Sequence, residues 1–359
     1  MKKLLALVLA GAMALSMVAC GGGEEAEGGA EGEDKLSVKL IVTNLGDKSF
    51  NDSANEGLSK LRDEGKIDYK VEEYGQDQSK VEITIQEAAE DYDVVAFNNL
   101  GFGKGGQWLK DNAANYPDTT FIIFDEPVEK FDAPNVQALC YRANESDFLA
   151  GALAAKLSET GVISFVGGME APVIHDFLVG YIEGAKYVNE DIKVVVSYTQ
   201  NYQDSAKGKE LGNAAIAAGA DVVHAVAGGA GNGALEAAME KGHLGIGVDS
   251  DQYAVFKENK PDLANSIVTS SIKNVGASLY SLISSMLDGT YEREEQKWYG
   301  MAENCSGLAE NENYEKLVSE DIRAEINDIK AKISSGEIKV DTAYGMSPED
   351  LNALVESVK

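Results

Sequence analysis

The sequence of 359 residues is poor in the side chains that most catalytic centres and metal sites use, since it has three Cys and three His. So few cysteines cannot form a disulfide framework, and three scattered histidines argue against a His-rich metal site. Basic residues are also scarce, because 31 Lys and Arg face 60 Asp and Glu and give a formal net charge of −29. Phosphate backbones repel such a chain, so the composition argues against nucleic acid as a partner.

The N-terminal apolar run is too short to span a bilayer. The chain begins Met-Lys-Lys, continues with apolar residues from Leu4 to Val18 and reaches Ala19-Cys20-Gly21. A positive start, a short apolar stretch and a small residue before a cleavage point are typical of a secretory signal peptide. A single Cys at that point resembles a bacterial lipobox, which predicts a lipoprotein signal peptide over residues 1–19 and lipid, including palmitate, on Cys20. In the alternative, a plain secreted protein, Cys20 is incidental.

Residues 21–34 contain no large apolar side chain and consist almost entirely of Gly, Glu and Ala. Such a segment cannot bury enough surface to offset the chain entropy lost on folding, so a lipidated Cys and an acidic tether are predicted over 20–35. This layout predicts a protein at the cell membrane, lipid-anchored on the extracytoplasmic face. Because the body offers no basic patch, we expect the lipid alone to provide the membrane contact.

From residue 35 onward, short β-branched runs alternate with longer segments in which apolar residues recur at helical spacing. The predicted strands are Val38–Leu45, Lys70–Tyr74, Val94–Asn98, Thr120–Asp125, Val136–Tyr141, Val162–Gly167, Val194–Thr199, Val222–Ala227, Gly245–Asp249 and Ile267–Ser271. Predicted helices include Asp52–Glu64, Asp147–Leu157, His175–Val188, Ala206–Ala218 and Gly233–Lys241. This order predicts an α/β fold with parallel sheets covered by helices on both faces.

The length predicts two lobes, because a single core rarely serves more than about 250–300 residues. We expect two doubly wound parallel-sheet lobes with a hinge and an interlobe ligand cleft. The N-terminal lobe is predicted over 36–141, with the segment at about 270–290 returning to it. The C-terminal lobe is predicted over 142–269, together with 291–359.

Polar residues follow the predicted strands, at the edge where parallel sheets bind ligands. The segments at these positions are Asn44–Asn51, Asn98-Asn99, Asp125-Glu126, Gly167–Glu170, Gln200–Tyr202, Gly228–Gly231, Asp249–Asp251 and Lys273. They supply acids, amides, glycines and two aromatics, but no His, no Cys and no Ser-His-Asp set. A crevice of this composition favours a receptor for a small polar ligand.

Three of these residues, Asp47, Asp125 and Asp249, each follow an apolar strand. A carboxylate only accepts hydrogen bonds, so it suits ring N–H donors or paired sugar hydroxyls. Paired carboxylates can also act as general acid and base in glycoside cleavage, which keeps a nucleosidase open as an alternative. No loop has the D-x-D-x-D-G spacing of a calcium site, and no metal is expected.

Two aromatic residues, Phe50 and Tyr202, lie in polar loops just beyond strand ends. Aromatic faces on opposing lobes could sandwich a flat heterocycle, with stacking of about 1–3 kcal/mol per base. Core packing is the alternative role for either ring.

Two glycine-rich stretches, Gly101–Gly106 and Gly228–Gly233, could be read as phosphate-binding loops. Neither gives the dinucleotide fingerprint in the expected βαβ frame, so no cofactor is predicted. Close approach of the backbone to a ligand or to the other lobe is the favoured reading.

Six segments together resemble the basic membrane protein family, bacterial lipoproteins that serve as purine-nucleoside-binding components of ABC transporters. The segments, in family order, are Asp47–Asp52, Tyr116–Thr119, Phe148–Leu153, Val166–Glu170, Ala206–Glu210 and Gly247–Gln252. The resemblance covers roughly residues 38–289. It implies a type I periplasmic-binding-protein fold that closes around one ligand, and it implies a binding protein rather than an enzyme.

The resemblance also implies which residues bind the ligand. They are Asp47, Asn51 and Asp125 at the base edge, Phe50 and Tyr202 on the faces of the base, and Gly229, Asp249 and Lys273 around the ribose. Tyr202 stands where the family usually has Phe, a change that keeps the stacking ring and adds a hydroxyl.

The function expected from the sequence is therefore capture of a purine nucleoside (inosine, guanosine or adenosine) and its delivery to an ABC permease by a monomeric, lipid-anchored receptor. A receptor for a pentose or another small polar ligand is the first alternative, and a nucleoside hydrolase is the second. A ligand-sensing regulator is a third, but no DNA-binding segment precedes residue 35.

Overall fold

The computed structural model describes residues 35–75, 77–98, 100–125 and 130–359, apart from the side chains of 100–102. The predictions for the signal peptide, for Cys20 and for the tether lie outside these residues, as do those for Asn99 and Glu126. Residues 35–359 form one compact unit.

The described residues form twelve strands in two six-stranded sheets. In chain order the strands are β1 (Leu36–Val42), β2 (Ile67–Glu73), β3 (Val94–Asn98), β4 (Thr120–Phe124), β5 (Val136–Tyr141), β6 (Val162–Gly167), β7 (Lys193–Tyr198), β8 (Val222–Val226), β9 (Leu244–Asp249), β10 (Ile267–Lys273), β11 (Gln296–Tyr299) and β12 (Ser306–Leu308). The first sheet has the order β11-β5-β4-β3-β1-β2, and the second has the order β12-β10-β9-β8-β6-β7. All neighbouring strands run parallel except β12, which pairs antiparallel with β10.

Helices connect the strands and cover both sheets. They are α1 (Phe50–Asp63), α2 (Val81–Asp91), α3 (Leu100–Asn112), α4 (Ala143–Leu157), α5 (Pro172–Val188), α6 (Ser205–Ala217), α7 (Gly228–Glu240), α8 (Gln252–Phe256), α9 (Pro261–Ser266), α10 (Val275–Leu287), α11 (Glu312–Leu317), α12 (Glu320–Ser334) and α13 (Pro348–Glu356). None of the described helices is both long and apolar enough to cross a membrane. The predicted α/β fold with two parallel-sheet lobes is confirmed.

The two faces of the first sheet are buried by different helices. Along β1, Leu40 packs on one side with Leu58 of α1, while the next residue, Ile41, packs on the other side with Ile85 of α2. This alternation follows from the two-residue period of a strand. A strand that is buried on both faces needs the nearly continuous apolar run that β1 has.

All ten predicted strands are present, and β11 and β12 are additional. These two strands span four and three residues and lack an apolar alternation that would have revealed them. α7 begins at Gly228, five residues before the predicted helix, so the glycine-rich stretch forms its first turn rather than a loop.

Three chain segments cross between the sheets and lie against one another. The Arg142 backbone N–H donates to the Tyr299 carbonyl at 2.8 Å, and the Asn274 N–H donates to the Cys305 carbonyl at 2.8 Å. The Ser306 hydroxyl donates to the Arg142 carbonyl at 3.4 Å. These contacts place the hinge where the three segments pass.

The late part of the chain divides between the two lobes. α10 follows β10 and packs against α1 on the first sheet. Residues 291–359 were expected with the second lobe, but β11 pairs with β5 in the first sheet. β12 pairs with β10 in the second sheet, and Ile326, Ile329 and Ile333 of α12 pack into that lobe's core.

Candidate functional site

Lys273 lies at the centre of a group of charges at the carboxyl ends of both sheets. It is the last residue of β10 and only 4% exposed. Its Nζ donates to both carboxylate oxygens of Asp125, at 3.2 and 3.0 Å, and lies 3.9 Å from Oδ1 of Asp249. Asp125 follows β4 of the first lobe and Asp249 ends β9 of the second, so one ammonium group links the lobes.

Asp125 and Asp249 both have an unusual backbone conformation. Asp125 has φ +64° and Asp249 has φ +63°, in the left-handed region that residues other than glycine rarely adopt. Aspartate tolerates this region better than most residues, and such conformations cluster at ligand sites. Two strand ends in different lobes therefore share one conformation and present the same side chain.

Three aromatic rings surround the Lys273 ammonium group. Its Nζ lies 4.6 Å from the ring centre of Phe50, 5.0 Å from that of Phe177 and 5.9 Å from that of Tyr141. These distances are within cation–π range. The faces of three aromatic rings therefore enclose the Lys273 ammonium group.

Asp47 organises the start of α1. Its Oδ1 accepts hydrogen bonds from the backbone N–H groups of Ser49 and Asp52, at 3.0 and 3.2 Å, and its Oδ2 accepts from that of Asn51 at 2.8 Å. Burial raises the pKa of Asp47, and these three bonds oppose that shift. A carboxylate offers about four acceptor positions, so about one remains for a ligand.

Two buried acceptors of the site accept no hydrogen bond from the part of the chain that the structure describes. They are Oδ1 of Asn51 and Oδ1 of Asp249. The Asn51 amide nitrogen donates to Oγ1 of Thr43 at 3.2 Å, and Oδ2 of Asp249 accepts from the Ser49 hydroxyl. Burying an acceptor without a hydrogen-bond donor costs free energy, so both oxygens are suited to accept hydrogen bonds from a ligand.

Burial raises the pKa of Asp249 to about 6. The Lys273 ammonium group and the Ser49 hydroxyl act in the opposite direction, while the carboxylates of Asp125 and Asp47 add to the increase. The charge of Asp249 is therefore sensitive to mildly acidic pH, as is that of Asp176, beside Phe177, whose pKa burial also raises to about 6.

Tyr202 and Gly229 lie at the edge of this group. The Tyr202 carbonyl accepts from the Ala230 N–H at 3.0 Å, and its ring covers Gly168, where a Cβ would lie 2.1 Å from Cε1. Burial raises the pKa of the Tyr202 phenol to about 12, although 40% of the residue is exposed. A hydrogen bond with the Met169 backbone opposes this increase, and the carboxylates of Asp125 and Asp249 add to it. A Cβ on Gly229 would lie 4.0 Å from the Asp47 Cα, so this glycine adjoins the first lobe.

The eight expected binding residues thus occupy one region in three groups. Phe50, Asp125 and Asp249 surround Lys273, Asp47 and Asn51 form the neighbouring start of α1, and Tyr202 and Gly229 line the second-lobe edge. In the described residues no group of His, Cys, Asp and Glu side chains is arranged to hold a metal ion.

Sequence reasoning missed Ser49, Tyr141 and Phe177. Ser49 lies inside the first motif, so its position was a usable signal. Phe177 lies within the apolar pattern of α5 and Tyr141 ends the buried strand β5, so both resemble ordinary core residues.

A second concavity, of about 620 Å³, lies along the outer edge of β7 beside α13. Its lining includes His175, Tyr198 and Leu351 but none of the eight expected residues. The strand-end cleft is the better candidate because it joins buried charges, aromatic faces and unpartnered acceptors from both lobes.

Two parallel-sheet lobes, three crossing segments and a polar cleft between strand ends define a ligand-binding protein of the type I periplasmic-binding-protein kind. Solved structures agree with this class. The chain resembles an ABC transporter solute-binding protein from Aeropyrum pernix K1, with a TM-score of 0.77 and 25% identity over 90% of this chain and 99% of that one. A solute-binding protein from Conexibacter woesei has the same fold, with a TM-score of 0.68, 21% identity and coverage of 86% and 99%.

Sequence comparison identifies the family. The model of the PnrA-like ABC transporter substrate-binding proteins (Bmp) matches residues 35–343. Basic membrane protein A of Borreliella burgdorferi is 33% identical over 87% of this chain and 89% of that protein. The ABC transporter nucleoside-binding protein BmpA of Lactococcus lactis subsp. cremoris is 34% identical over 81% and 87%. The chain belongs to the Bmp family and is an ABC transporter substrate-binding protein, not an enzyme.

Proposed function

We propose that the protein captures a purine nucleoside in the cleft around Lys273 and delivers it to an ABC permease. The observation that carries this proposal is the pairing of a flat aromatic face, Phe50, with buried acceptors on Asn51 and Asp249 that have no described donor. A nucleoside has a flat base for the aromatic face and hydroxyl or ring N–H groups for the acceptors.

In the proposed complex, the ribose hydroxyls donate to Asp249, and Lys273 donates to ribose oxygens. Hydrogen bonds to a charged partner contribute about 1.5–3 kcal/mol each, more than neutral ones. In this complex Gly229 lets the second-lobe backbone come close to the sugar because it has no side chain. A Cβ there would also lie 3.3 Å from the Tyr202 carbonyl oxygen.

The base lies between Phe50 and Tyr202 in this proposal. Asn51 suits the edge of a base because its amide both donates and accepts. Asp125 and the remaining acceptor position of Asp47 suit ring or exocyclic N–H groups. The relative from Lactococcus lactis that is named a nucleoside-binding protein supports this ligand class.

The location of the protein completes the proposal. We place the chain at the extracytoplasmic face of the cell membrane, held by lipid on Cys20, with the tether over 20–35 giving the folded body reach. The body acts as a monomer that meets a permease, and the nucleoside is its only small-molecule ligand.

The proposal is tested by measuring how strongly inosine binds when each cleft aromatic residue is replaced by Ala. Replacement of an aromatic residue outside the cleft is the control. Phe50→Ala and Tyr202→Ala should each weaken inosine binding about 10- to 100-fold, since stacking contributes about 1–3 kcal/mol per base. Tyr187→Ala removes an exposed ring on α5 and should leave binding unchanged. Tyr202→Phe should retain the affinity because the ring remains.

A pentose receptor would give a different result in the same titrations. Ribose would bind the unaltered protein tightly, and both cleft truncations would leave its affinity nearly intact. That outcome would replace the nucleoside with a sugar and keep the fold. Thermal unfolding of each variant shows whether the body is still folded.

A further inference from the structure

Three successive backbone carbonyl groups of the first lobe accept hydrogen bonds from side chains of the second lobe. The Asp47 carbonyl accepts from Nδ2 of Asn232 at 3.4 Å, and the Lys48 carbonyl accepts from Nε2 of Gln252 at 3.2 Å. The Ser49 carbonyl accepts from the Ser250 hydroxyl at 3.4 Å. Each donor lies on the second lobe and each acceptor on the first, so these bonds exist only when the lobes are together.

The three accepting carbonyl groups lie in a first-lobe turn that contains a residue with an unusual backbone conformation. Lys48 has φ +60°, the left-handed conformation that non-glycine residues seldom adopt. This turn reverses the chain between β1 and α1. Conformations of this kind persist where the surrounding structure holds them. Within the first lobe the Lys48 N–H donates to Oδ2 of Asp52 at 2.9 Å, and the second lobe adds the donor at the Lys48 carbonyl.

Neighbouring groups of the second lobe hold the side-chain amides of Gln252 and Asn232 in one orientation. Gln252 is 1% exposed, and its Oε1 accepts from the Val248 N–H at 3.1 Å, which leaves only Nε2 to donate across the cleft. Nε2 also donates to Oδ1 of Asn232 at 3.2 Å, so the nitrogen of that amide faces Asp47. A Cβ on Gly247 would lie 2.4 Å from Oε1, so a glycine is required there for Gln252 to pack.

From this arrangement we infer that Asn232 and Gln252 are a closure latch that sets how long the cleft retains its ligand. The inference rests on the proposed function, because the retained ligand is the nucleoside. Neither residue acts on the ligand directly. They are positioning residues that hold the loop over 47–49, whose Asp47 side chain caps the turn carrying Phe50 and Asn51.

A ligand enters while the lobes are apart and leaves only after they separate. Loss of a contact that forms on closing therefore raises the dissociation rate and leaves the association rate nearly unchanged. Each lost hydrogen bond of this kind changes an equilibrium about 3- to 10-fold. A residue with a purely structural role would change the fraction of active protein instead of the dissociation rate.

Asn213→Ala is the matched control for Asn232→Ala. The Asn213 amide donates to the Lys209 carbonyl at 2.9 Å within α6, so the control loses the same bond type in the same lobe without touching the first lobe. Stopped-flow kinetics with inosine should show dissociation about 3- to 10-fold faster for Asn232→Ala. Gln252→Glu keeps the Oε1 acceptor and replaces the donor with an oxygen that repels the Lys48 carbonyl, so dissociation should be at least as fast as for Asn232→Ala. Asn213→Ala should match the unaltered protein.

Equal dissociation rates for Asn232→Ala and Asn213→Ala in folded proteins would overturn the latch and leave the nucleoside receptor standing. If the unaltered protein binds ribose but no nucleoside, the proposed function fails, and the same dissociation rates are then measured with ribose. Faster dissociation from Asn232→Ala and Gln252→Glu than from Asn213→Ala would support the latch. Equal rates would contradict it.

Discussion

At the scale of single residues, Asp249 connects the two lobes at the centre of the cleft. It faces Lys273, accepts from Ser49 across the lobes and retains an oxygen without a described donor. Burial raises its pKa to about 6, so its charge changes in mildly acidic solution. The ionised form is the one that accepts hydrogen bonds from ligand hydroxyls on both oxygens.

The pH dependence of binding follows from that ionisation. A ligand that donates to the carboxylate favours the ionised form and lowers its pKa in the complex, so affinity is full above about pH 6 and falls below it. Calorimetry with inosine between pH 7.5 and 5 should show a loss of up to about tenfold per pH unit below 6.

Asp249→Asn isolates this effect, because asparagine also tolerates the left-handed backbone. The substitution should weaken inosine binding at pH 7.5 by about 10- to 100-fold and flatten the pH profile. Asp251→Asn is the matched control, since Asp251 caps α8 through the Ala254 N–H and asparagine caps equally well. A pH profile that stays steep in Asp249→Asn would assign the titration to another group.

Some residues of the candidate site could be predicted from the sequence. Asp125, Asp249 and Lys273 could be named because each directly follows or ends an apolar strand. Phe177 could not, because a helix residue that faces the cleft has the same apolar spacing as one that faces the core. The left-handed backbone of Lys48, Asp125 and Asp249 is set by tertiary contacts and has no signal in single-residue preferences.

At the scale of elements, α10 returns to the first sheet through close contact with α1. A Cβ on Gly57 would lie 2.1 Å from the Gly276 carbonyl oxygen, and one on Gly276 would lie 2.3 Å from that of Ser53. The Gly276 N–H also donates to the Ser53 hydroxyl at 3.2 Å. The backbones of α1 and α10 are therefore in contact. Lys273 lies two residues before the first residue of α10, so this contact helps to fix its position.

Gly57→Ala separates packing from helix propensity by the sign of its effect. Alanine is favoured over glycine in an exposed helix by about 1 kcal/mol, so propensity alone predicts a more stable protein. The atoms that a Cβ would meet are Gly276 backbone atoms that cannot rotate away, so overpacking costs about 3 kcal/mol, the upper end of the usual range, and forces the helices apart. Urea unfolding should therefore show a lower free energy of unfolding, whereas Ser59→Ala, on the same helix, should change it little.

Elements with a strong periodic pattern were predictable, and short ones were not. β11 and β12 form because β5 and β10 offer free edges for pairing, and with four and three residues they are too short to show a strand pattern in the sequence. β2 begins at Ile67, three residues before its predicted start, because the buried Ile67 and Tyr69 alternate with the exposed Asp68 and Lys70.

At the scale of the whole molecule, the formal net charge is −29, and carboxylates also outnumber ammonium groups in the proposed cleft. Asp47, Asp125 and Asp249 line the cleft, and the Lys273 ammonium group is the cation that contacts two of them. A phosphate in this enclosure would meet carboxylates without an Arg to pair with, and burying such a charge is costly. The same overall charge separates the body from anionic surfaces.

Nucleoside and nucleotide should therefore be distinguished by charge. Inosine 5′-monophosphate should bind at least about 100-fold more weakly than inosine, a difference of about 2.7 kcal/mol. Raising the salt concentration should narrow this gap by screening and leave inosine itself nearly unaffected. Competition titrations at low and high salt measure both effects, and equal affinities for the two ligands would show that the cleft does not exclude phosphate.

The most direct test of the nucleoside receptor is calorimetry of residues 36–359, unfolded and refolded beforehand to remove any ligand that co-purifies. The titrants are adenosine, guanosine, inosine, cytidine, ribose and the free bases. Tight one-to-one binding of purine nucleosides, with no heat from ribose, is the predicted result. Binding of ribose alone, or of none of these compounds, would contradict the proposed function and leave the fold unchanged.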